Sequence, residues 1–202
     1  MSGDHHMPAP GAPGYRRVLW AALVINGVMF VVEGGAGLAA GSVALQADAL
    51  DFLGDTATYA LTLFVLGLAL RWRARAALLK GASMGLFGLW VMGNSVYHLF
   101  VPGLPAAEVM TGVGILALAA NLVSALLLYR HRHGDANMRS VWLCTRNDAL
   151  GNVAVILAGA AVFASGSNLP DVAVGAGMAT LALTSARQVL RQARRELRPA
   201  EA

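Results

Sequence analysis

Six apolar stretches constrain this chain most strongly, because each is long enough to cross a bilayer as a helix. Such a crossing needs about 20 residues. The stretches are Val18–Leu38, Ser42–Leu70, Gly81–Val101, Ala107–Tyr129, Val141–Ala164 and Asp171–Leu190. Backbone polar groups in lipid must be satisfied within each segment, which favours helices. The predicted fold class is therefore all-α, a polytopic membrane protein with six transmembrane helices.

The composition agrees with a membrane protein. Hydrophobic residues make up 57% of the 202 positions and charged residues only 13%, whereas about 25% is usual in soluble domains. The first residues, "MSGDHHMPAPGAPGYRR", lack the apolar core of a signal peptide. The expected organisation is a polar tail at 1–16, a six-helix transmembrane domain at 17–190 and a short basic tail at 191–202.

The basic residues indicate how the helices are oriented. Of the 15 lysines and arginines, all except Arg146 lie before the first stretch, in the second–third and fourth–fifth connections, or from Arg187 onward at the end of the last stretch and beyond it. The positive-inside rule then places both termini in the cytoplasm. A net charge of +4 confined to helix ends predicts contact with the lipid surface and no nucleic-acid partner.

The second stretch, "LQADALDFLGDTATYALTLF", carries three aspartates: Asp48, Asp51 and Asp55. An ionised aspartate at the centre of a membrane helix costs about 2.5–3.5 kcal/mol. Positions i, i+3 and i+7 share one face of a helix. We therefore expect this face to point into the bundle or a water-filled cavity, where a partner offsets the charge.

The fifth stretch contains "WLCTRNDALGNVAVIL" and presents a similar pair. Cys144 and Asp148 lie four residues apart on one face, the same spacing as Asp51 and Asp55. Three carboxylates and one thiolate match the ligand number and ligand types of a tetrahedral zinc site. The sequence thus predicts a divalent-metal site at Asp51, Asp55, Cys144 and Asp148. Two alternatives stay open. The carboxylates have a purely structural role, or Cys144, the single cysteine, is a small buried residue and not a ligand.

Other polar residues are weaker candidates. A set with a supporting or proton-path role consists of Asp48, Glu33, His98, Asn147 and Asn152. Asn26 and Asn121 are expected to form interhelical hydrogen bonds. In "RHRHGDAN", His131 and His133 are candidates for metal capture at the cytoplasmic mouth, with an ordinary solvated loop as the alternative.

The chain resembles the cation diffusion facilitator family of proton-coupled metal exporters. The resemblance rests on "GSVALQADALDFLGD" (41–55) and "RNDALGNVAVILA" (146–158), supported by "AANLVSALLL" and by Asn26 and Glu33. It covers Tyr15 to about Arg195. The family's ligand pairs in the second and fifth spans fall here on Asp51 and Asp55, and on Cys144 and Asp148.

Two departures from the family pattern bear on function. Cys144 stands where the family usually has histidine, so either the selectivity moves toward softer ions or only three side chains bind the metal. The resemblance also implies a short form, lacking the family's cytoplasmic domain, that forms a homodimer through its membrane helices. Gly81, Gly85 and Gly88 offer a close-packing surface for such a dimer, or for packing within the chain.

The resemblance implies a transporter and not an enzyme, in a bacterial inner membrane, with no tightly bound cofactor. It would export zinc, or else cadmium, cobalt, nickel, iron or manganese, by proton antiport. Protons and metal compete for deprotonated ligands, which is enough to couple their movements. The main alternative is a non-transporting metal-binding or regulatory partner of another transporter. An intramembrane aspartyl protease also pairs aspartates, but it leaves Asp51 and Cys144 unexplained.

Overall fold

The structure, a computed structural model, describes residues 13–64, 69–101, 103–129 and 136–197. All regular structure in these ranges is α-helical, which confirms the predicted fold class. The helices are α1 (Pro13–Ala40), α2 (Val43–Phe64), α3 (Leu70–Phe100), α4 (Ala107–Tyr129), α5 (Ala136–Ser165) and α6 (Leu169–Leu197). In α5, side chains are described from Asp148 onward.

One predicted boundary at the second connection was wrong. The third helix begins at Leu70 instead of Gly81, and the described part of α2 ends at Phe64. Ala69 has extended backbone angles (φ −57°, ψ 148°), so it does not continue either helix. The basic segment from Arg71 to Lys80, expected to be a connection, therefore forms the first turns of α3. Similarly, α6 continues beyond Leu190 to Leu197.

Three connections meet at one end of the bundle, which we call the turn end. Ala106 N–H donates to the Ala40 carbonyl at 3.0 Å, and the Asn168 side chain donates to the His98 carbonyl at 2.7 Å. Gly41 follows α1 with a positive φ of 65°, a conformation that glycine adopts without strain. Helix direction therefore alternates along the chain. The opposite end, where α1 begins and α6 ends, is called the terminal end.

The second helix lies in the middle of the bundle. It packs against α1, α3, α5 and α6, and every residue from 42 to 50 is buried. Five helices, all except α2, are long and apolar enough to cross a membrane within the described residues. A helix shielded on most sides by other helices does not have to be uniformly apolar, because lipid does not surround it.

The glycine surface of α3 faces α6 of the same chain. A Cβ added at Gly81 would lie 2.9 Å from Leu190 Cγ, and one added at Gly88 would lie 3.1 Å from Leu183 Cδ2. At Gly85 the neighbour is Ala186, at 3.7 Å. These glycines let two helices of one chain approach closely. In this structure the glycine surface of α3 packs within the chain, and its use in a dimer stays a prediction.

Candidate metal site between α2 and α5

The carboxylates of α2 approach α5 at a glycine. A Cβ added at Gly151 would lie 3.3 Å from Asp48 Oδ1 and 3.6 Å from Asp51 Oδ2. Gly151 follows Asp148 by three residues, so it lies about one helical turn further along α5. The predicted inward face of α2 is thus turned toward the helix that carries the second predicted ligand pair.

Asp55 and Asp148 lie close together, about one helical turn nearer the terminal end than Asp51 and Gly151. The Asp148 carboxyl group lies close enough to Asp55 and Asp51 to interact electrostatically with both. Asp55 is only 8% exposed. The fully buried Tyr59 donates a hydrogen bond from its hydroxyl to Asp55 Oδ2 at 2.7 Å. The structure therefore places the three predicted carboxylate ligands on facing sides of α2 and α5, and it adds Tyr59 as a hydrogen-bond donor to Asp55.

The carboxylates do not enclose an ion in this conformation. Among the described side chains, no three from histidine, cysteine, aspartate or glutamate converge closely enough to hold a metal. The Cys144 side chain lies outside the described part of α5, as do Arg146 and Asn147. Whether a thiolate completes the site therefore stays a prediction. His131 and His133 also lie outside the described residues.

A second carboxyl pair lies nearer the turn end. Glu33 of α1 and Asp48 of α2 are both 0% exposed and lie close enough to interact electrostatically. None of their four side-chain oxygens meets a hydrogen-bond donor. Leaving a buried polar group without a partner is costly, and more so for a charged group. This pair is therefore suited to a proton, a water molecule or a cation between the two groups.

Asn152 extends this polar region on α5. Its side chain is completely buried, and neither its amide nitrogen nor its amide oxygen has a hydrogen-bond partner. Asn152 is the neighbour of Gly151, at the level where Asp48 approaches α5. The supporting residues Glu33, Asp48 and Asn152 therefore all lie in the interior.

The remaining polar candidates have other surroundings. His98 lies at the turn end, where its ring is 3.8 Å from the position of a Cβ added at Gly103; no described contact joins it to the carboxylates. Asn26 donates to Ser124 of α4 at 3.4 Å, which is the predicted interhelical hydrogen bond. Asn121 is also buried, and its amide oxygen has no hydrogen-bond partner, so its interhelical hydrogen bond stays a prediction.

Sequence reasoning missed several residues around the site. Tyr59 follows Asp55 by four residues, a spacing that places both on one helix face and could have revealed it. Asp171 accepts hydrogen bonds at the start of α2, and Lys80 donates to Thr58 of α2. These two contacts join residues far apart in the chain, so no local pattern indicates them.

Comparison with known proteins gives a family match over most of the chain. Residues 19–198 match the model of the cation efflux transmembrane domain. The cadmium, cobalt and zinc/H(+)-K(+) antiporter of Bacillus velezensis is 25% identical over 197 residues, covering 91% of this chain and 62% of that protein.

Two further relatives are similar at the same level. The zinc transporter ZitB of Escherichia coli is 27% identical over 198 residues, covering 90% of this chain and 62% of ZitB. The metal cation efflux system protein CzcD of Cupriavidus metallidurans is 28% identical over 168 residues, covering 77% of this chain and 52% of CzcD. The chain thus spans between about half and two thirds of the length of these relatives.

Proposed function

Since this chain belongs to the cation efflux family, also called the cation diffusion facilitators, we propose that it moves a divalent metal cation across the membrane. One observation carries the proposal: the carboxylates of Asp48 and Asp51 on α2 lie against α5 at Gly151, about one turn from Asp148. Buried like charges repel one another at this distance unless a positive charge lies among them. The metal ion, as transported substrate, is that charge.

The ligand set we propose is Asp51, Asp55, Asp148 and Cys144. In this site the three carboxylates supply oxygen ligands and Cys144 supplies sulfur, a mixture that zinc and cadmium accept. Closing the site around an ion requires α2 and α5 to draw these side chains together. Tyr59 would hold Asp55 in position during that step, because its hydroxyl bonds one carboxylate oxygen.

Zinc is the substrate we propose first. The names of the relatives include zinc, cadmium and cobalt, and nickel, iron and manganese also fit the oxygen ligands. Metal and protons compete for the same carboxylates and thiol, so a proton gradient can drive metal release. The name of the Bacillus velezensis relative includes both H(+) and K(+) as exchanged ions. We propose proton antiport for this chain, with potassium as a second counter-ion to be tested.

The route to the turn end would run along Glu33, Asp48 and Asn152. These buried side chains lie on three helices, and each has oxygens without a donor. Unpaired oxygens in a membrane interior mark ion or proton pathways. His98, at the turn end itself, remains a proposed last member of the route.

The chain is an integral membrane protein, and we propose that it lies in a bacterial inner membrane with both termini in the cytoplasm. The arginines support this orientation, since the turn-end connections carry no lysine or arginine. Export would then run from the terminal end to the turn end. A homodimer through the membrane helices is also part of the proposal.

The test is metal transport into proteoliposomes under an imposed pH gradient, with zinc, cadmium, cobalt, nickel, iron and manganese compared. We expect proton-dependent flux that Asp55→Asn and Asp148→Asn each abolish. Glu108→Gln, at an exposed position in the first turn of α4, is the matched control and should transport normally. Potassium would be added to either side to test the second counter-ion.

The same experiment addresses the alternative function. Zinc binding without flux would favour a regulatory metal-binding partner over a transporter. Cys144→His separates these further: a transporter should remain active with an altered metal preference, whereas a scaffold should be indifferent to the change. Flux that survives both aspartate substitutions would contradict the proposed site.

A further inference from the structure

A half-buried lysine, Lys80, lies on α3 against α2, and the metal site described above does not use it. Lys80 belongs to the part of α3 that is long and apolar enough to span a membrane. Its stem lines a cavity of about 310 Å³ between α2 and α3, next to Ala57 and Met84. Lysine in a membrane helix normally extends its ammonium group toward the nearest water. Here the ammonium group instead has a partner on α2.

That partner is the hydroxyl group of Thr58. Lys80 Nζ donates to Thr58 Oγ1, and the same hydroxyl donates its own proton to the Gly54 carbonyl at 2.8 Å. Because its proton is already engaged, Thr58 Oγ1 meets the ammonium group as an acceptor. The contact is therefore a charge-assisted hydrogen bond in fixed directions.

Thr58 lies on the carboxylate face of α2. It follows Asp51 by seven residues and Asp55 by three, and both spacings return to the same side of a helix. Three residues correspond to about 4.5 Å along the helix axis. The ammonium group is thus bound about one turn from Asp55, on the side facing the terminal end.

The packing of α3 against α2 keeps Lys80 about one helical turn from Asp55. Met84, one turn further along α3, lies against Gly54: a Cβ added there would be 3.3 Å from Met84 Cε. Gly54 therefore lets α3 approach α2 next to Asp55. The position of the ammonium group follows from helix packing as well as from its hydrogen bond.

We propose that Lys80 is a built-in counter-cation at the terminal-end entrance of the Asp51–Asp55–Asp148 site. With no metal bound, its positive charge partly balances the carboxylates, which lowers the cost of keeping them in the membrane interior. A divalent cation entering from this end meets the same charge and must displace it. Lys80 thereby sets the metal concentration at which the site fills. It also stabilises the empty site while the metal-free protein returns to the conformation that loads metal.

This inference rests on the proposed metal site, and its experiment separates the two. Zinc affinity is measured by dye competition on the purified chain in detergent, at one pH, for the wild type, Lys80→Met and Lys80→Arg. A unit charge at this range in a partly buried setting changes affinity by about threefold to thirtyfold. We expect Lys80→Met to bind zinc that much more tightly, and Lys80→Arg, which keeps the charge, to stay near the wild type.

A second variant covers the case in which Lys80→Met does not fold. Thr58→Val keeps every charge and nearly the same volume but removes the acceptor of the ammonium group. It should shift zinc affinity in the same direction by a smaller factor. Unchanged affinity in Thr58→Val, or in a folded Lys80→Met, would overturn the role of Lys80 alone. Absence of zinc binding in the wild type would overturn the metal site, and the role of Lys80 with it.

Discussion

Gly151 determines how closely α2 and α5, which carry the proposed ligands, approach each other. Its missing side chain leaves room for Asp48 Oδ1 and Asp51 Oδ2, which would lie 3.3 Å and 3.6 Å from an added Cβ. Met178 Cε, on the other side, would lie at 3.1 Å. All three atoms are ends of flexible side chains, so they can move aside. A larger residue at this position should therefore disturb the site more than the fold.

Gly151→Ala should weaken zinc binding by about tenfold, because a forced contact of this kind costs about 1–3 kcal/mol. Thermal unfolding should change little. Gly177→Ala on α6 is the matched control, since an added Cβ there meets nothing within 4 Å. Dye competition for zinc checks both variants, and equal affinities in the two would show that Gly151 has no special role.

A second single-residue prediction concerns the Tyr59 hydroxyl, which we propose orients Asp55 for zinc binding. Tyr59→Phe keeps the ring and removes the hydroxyl that bonds Asp55 Oδ2 at 2.7 Å. A hydrogen bond to a charged group contributes about 1.5–3 kcal/mol, so zinc affinity should fall by about tenfold. Titration with zinc at several pH values is the measurement. An affinity equal to that of the wild type would mean that Asp55 is oriented without Tyr59.

At the scale of helices, Asp171 fixes the start of α2. Its carboxylate, 1% exposed, accepts hydrogen bonds from Ser42 Oγ at 2.6 Å, Val43 N–H at 2.9 Å and Ala44 N–H at 3.0 Å. The first N–H groups of a helix have no partners within it, and a negative charge there is favourable. A residue of α6 thus caps α2 and links the helix that carries the carboxylates to α6.

Replacing Asp171 by alanine should cost about 2–3 kcal/mol of stability, since the cap is lost and two buried N–H groups lose their acceptor. In a chain of this size that lowers the melting temperature by about 5–10 °C. Thermal unfolding in detergent, followed by circular dichroism, checks this. Glu108→Ala, in the exposed first turn of α4, should shift it far less; equal shifts would contradict the capping role.

Much of the architecture could be predicted from the sequence, since six apolar stretches predict six helices. The ends of α2 and α3 were less predictable, because arginines and Lys80 suggest a loop while the backbone continues as helix from Leu70. The inward face of α2 followed from spacing. The contact of this face with Gly151 could not be predicted from spacing, because packing between distant segments is not a local property of the sequence. The glycines of α3 were ambiguous for the same reason.

At the scale of the whole molecule, alternating helix direction places the start of α1 and the end of α6 together, opposite the three turn-end connections. The positive-inside rule then predicts that the terminal end faces the cytoplasm. Single cysteines at Ser2 and Ser167, each introduced with Cys144→Ser, test this in intact cells. A membrane-impermeant maleimide should label the Ser167→Cys variant directly and the Ser2→Cys variant only after permeabilisation. The reverse pattern would invert the direction of transport that we propose.

The central claim is that α2 and α5 hold one divalent cation between their carboxylates. Equilibrium dialysis of the purified chain against radioactive zinc tests it most directly, using the wild type, Asp55→Asn, Asp148→Asn and Glu108→Gln. We predict one tightly bound zinc ion per chain in the wild type and in Glu108→Gln, and none in the two aspartate variants. Zinc bound equally well by all four proteins would place the metal elsewhere and contradict the site between α2 and α5.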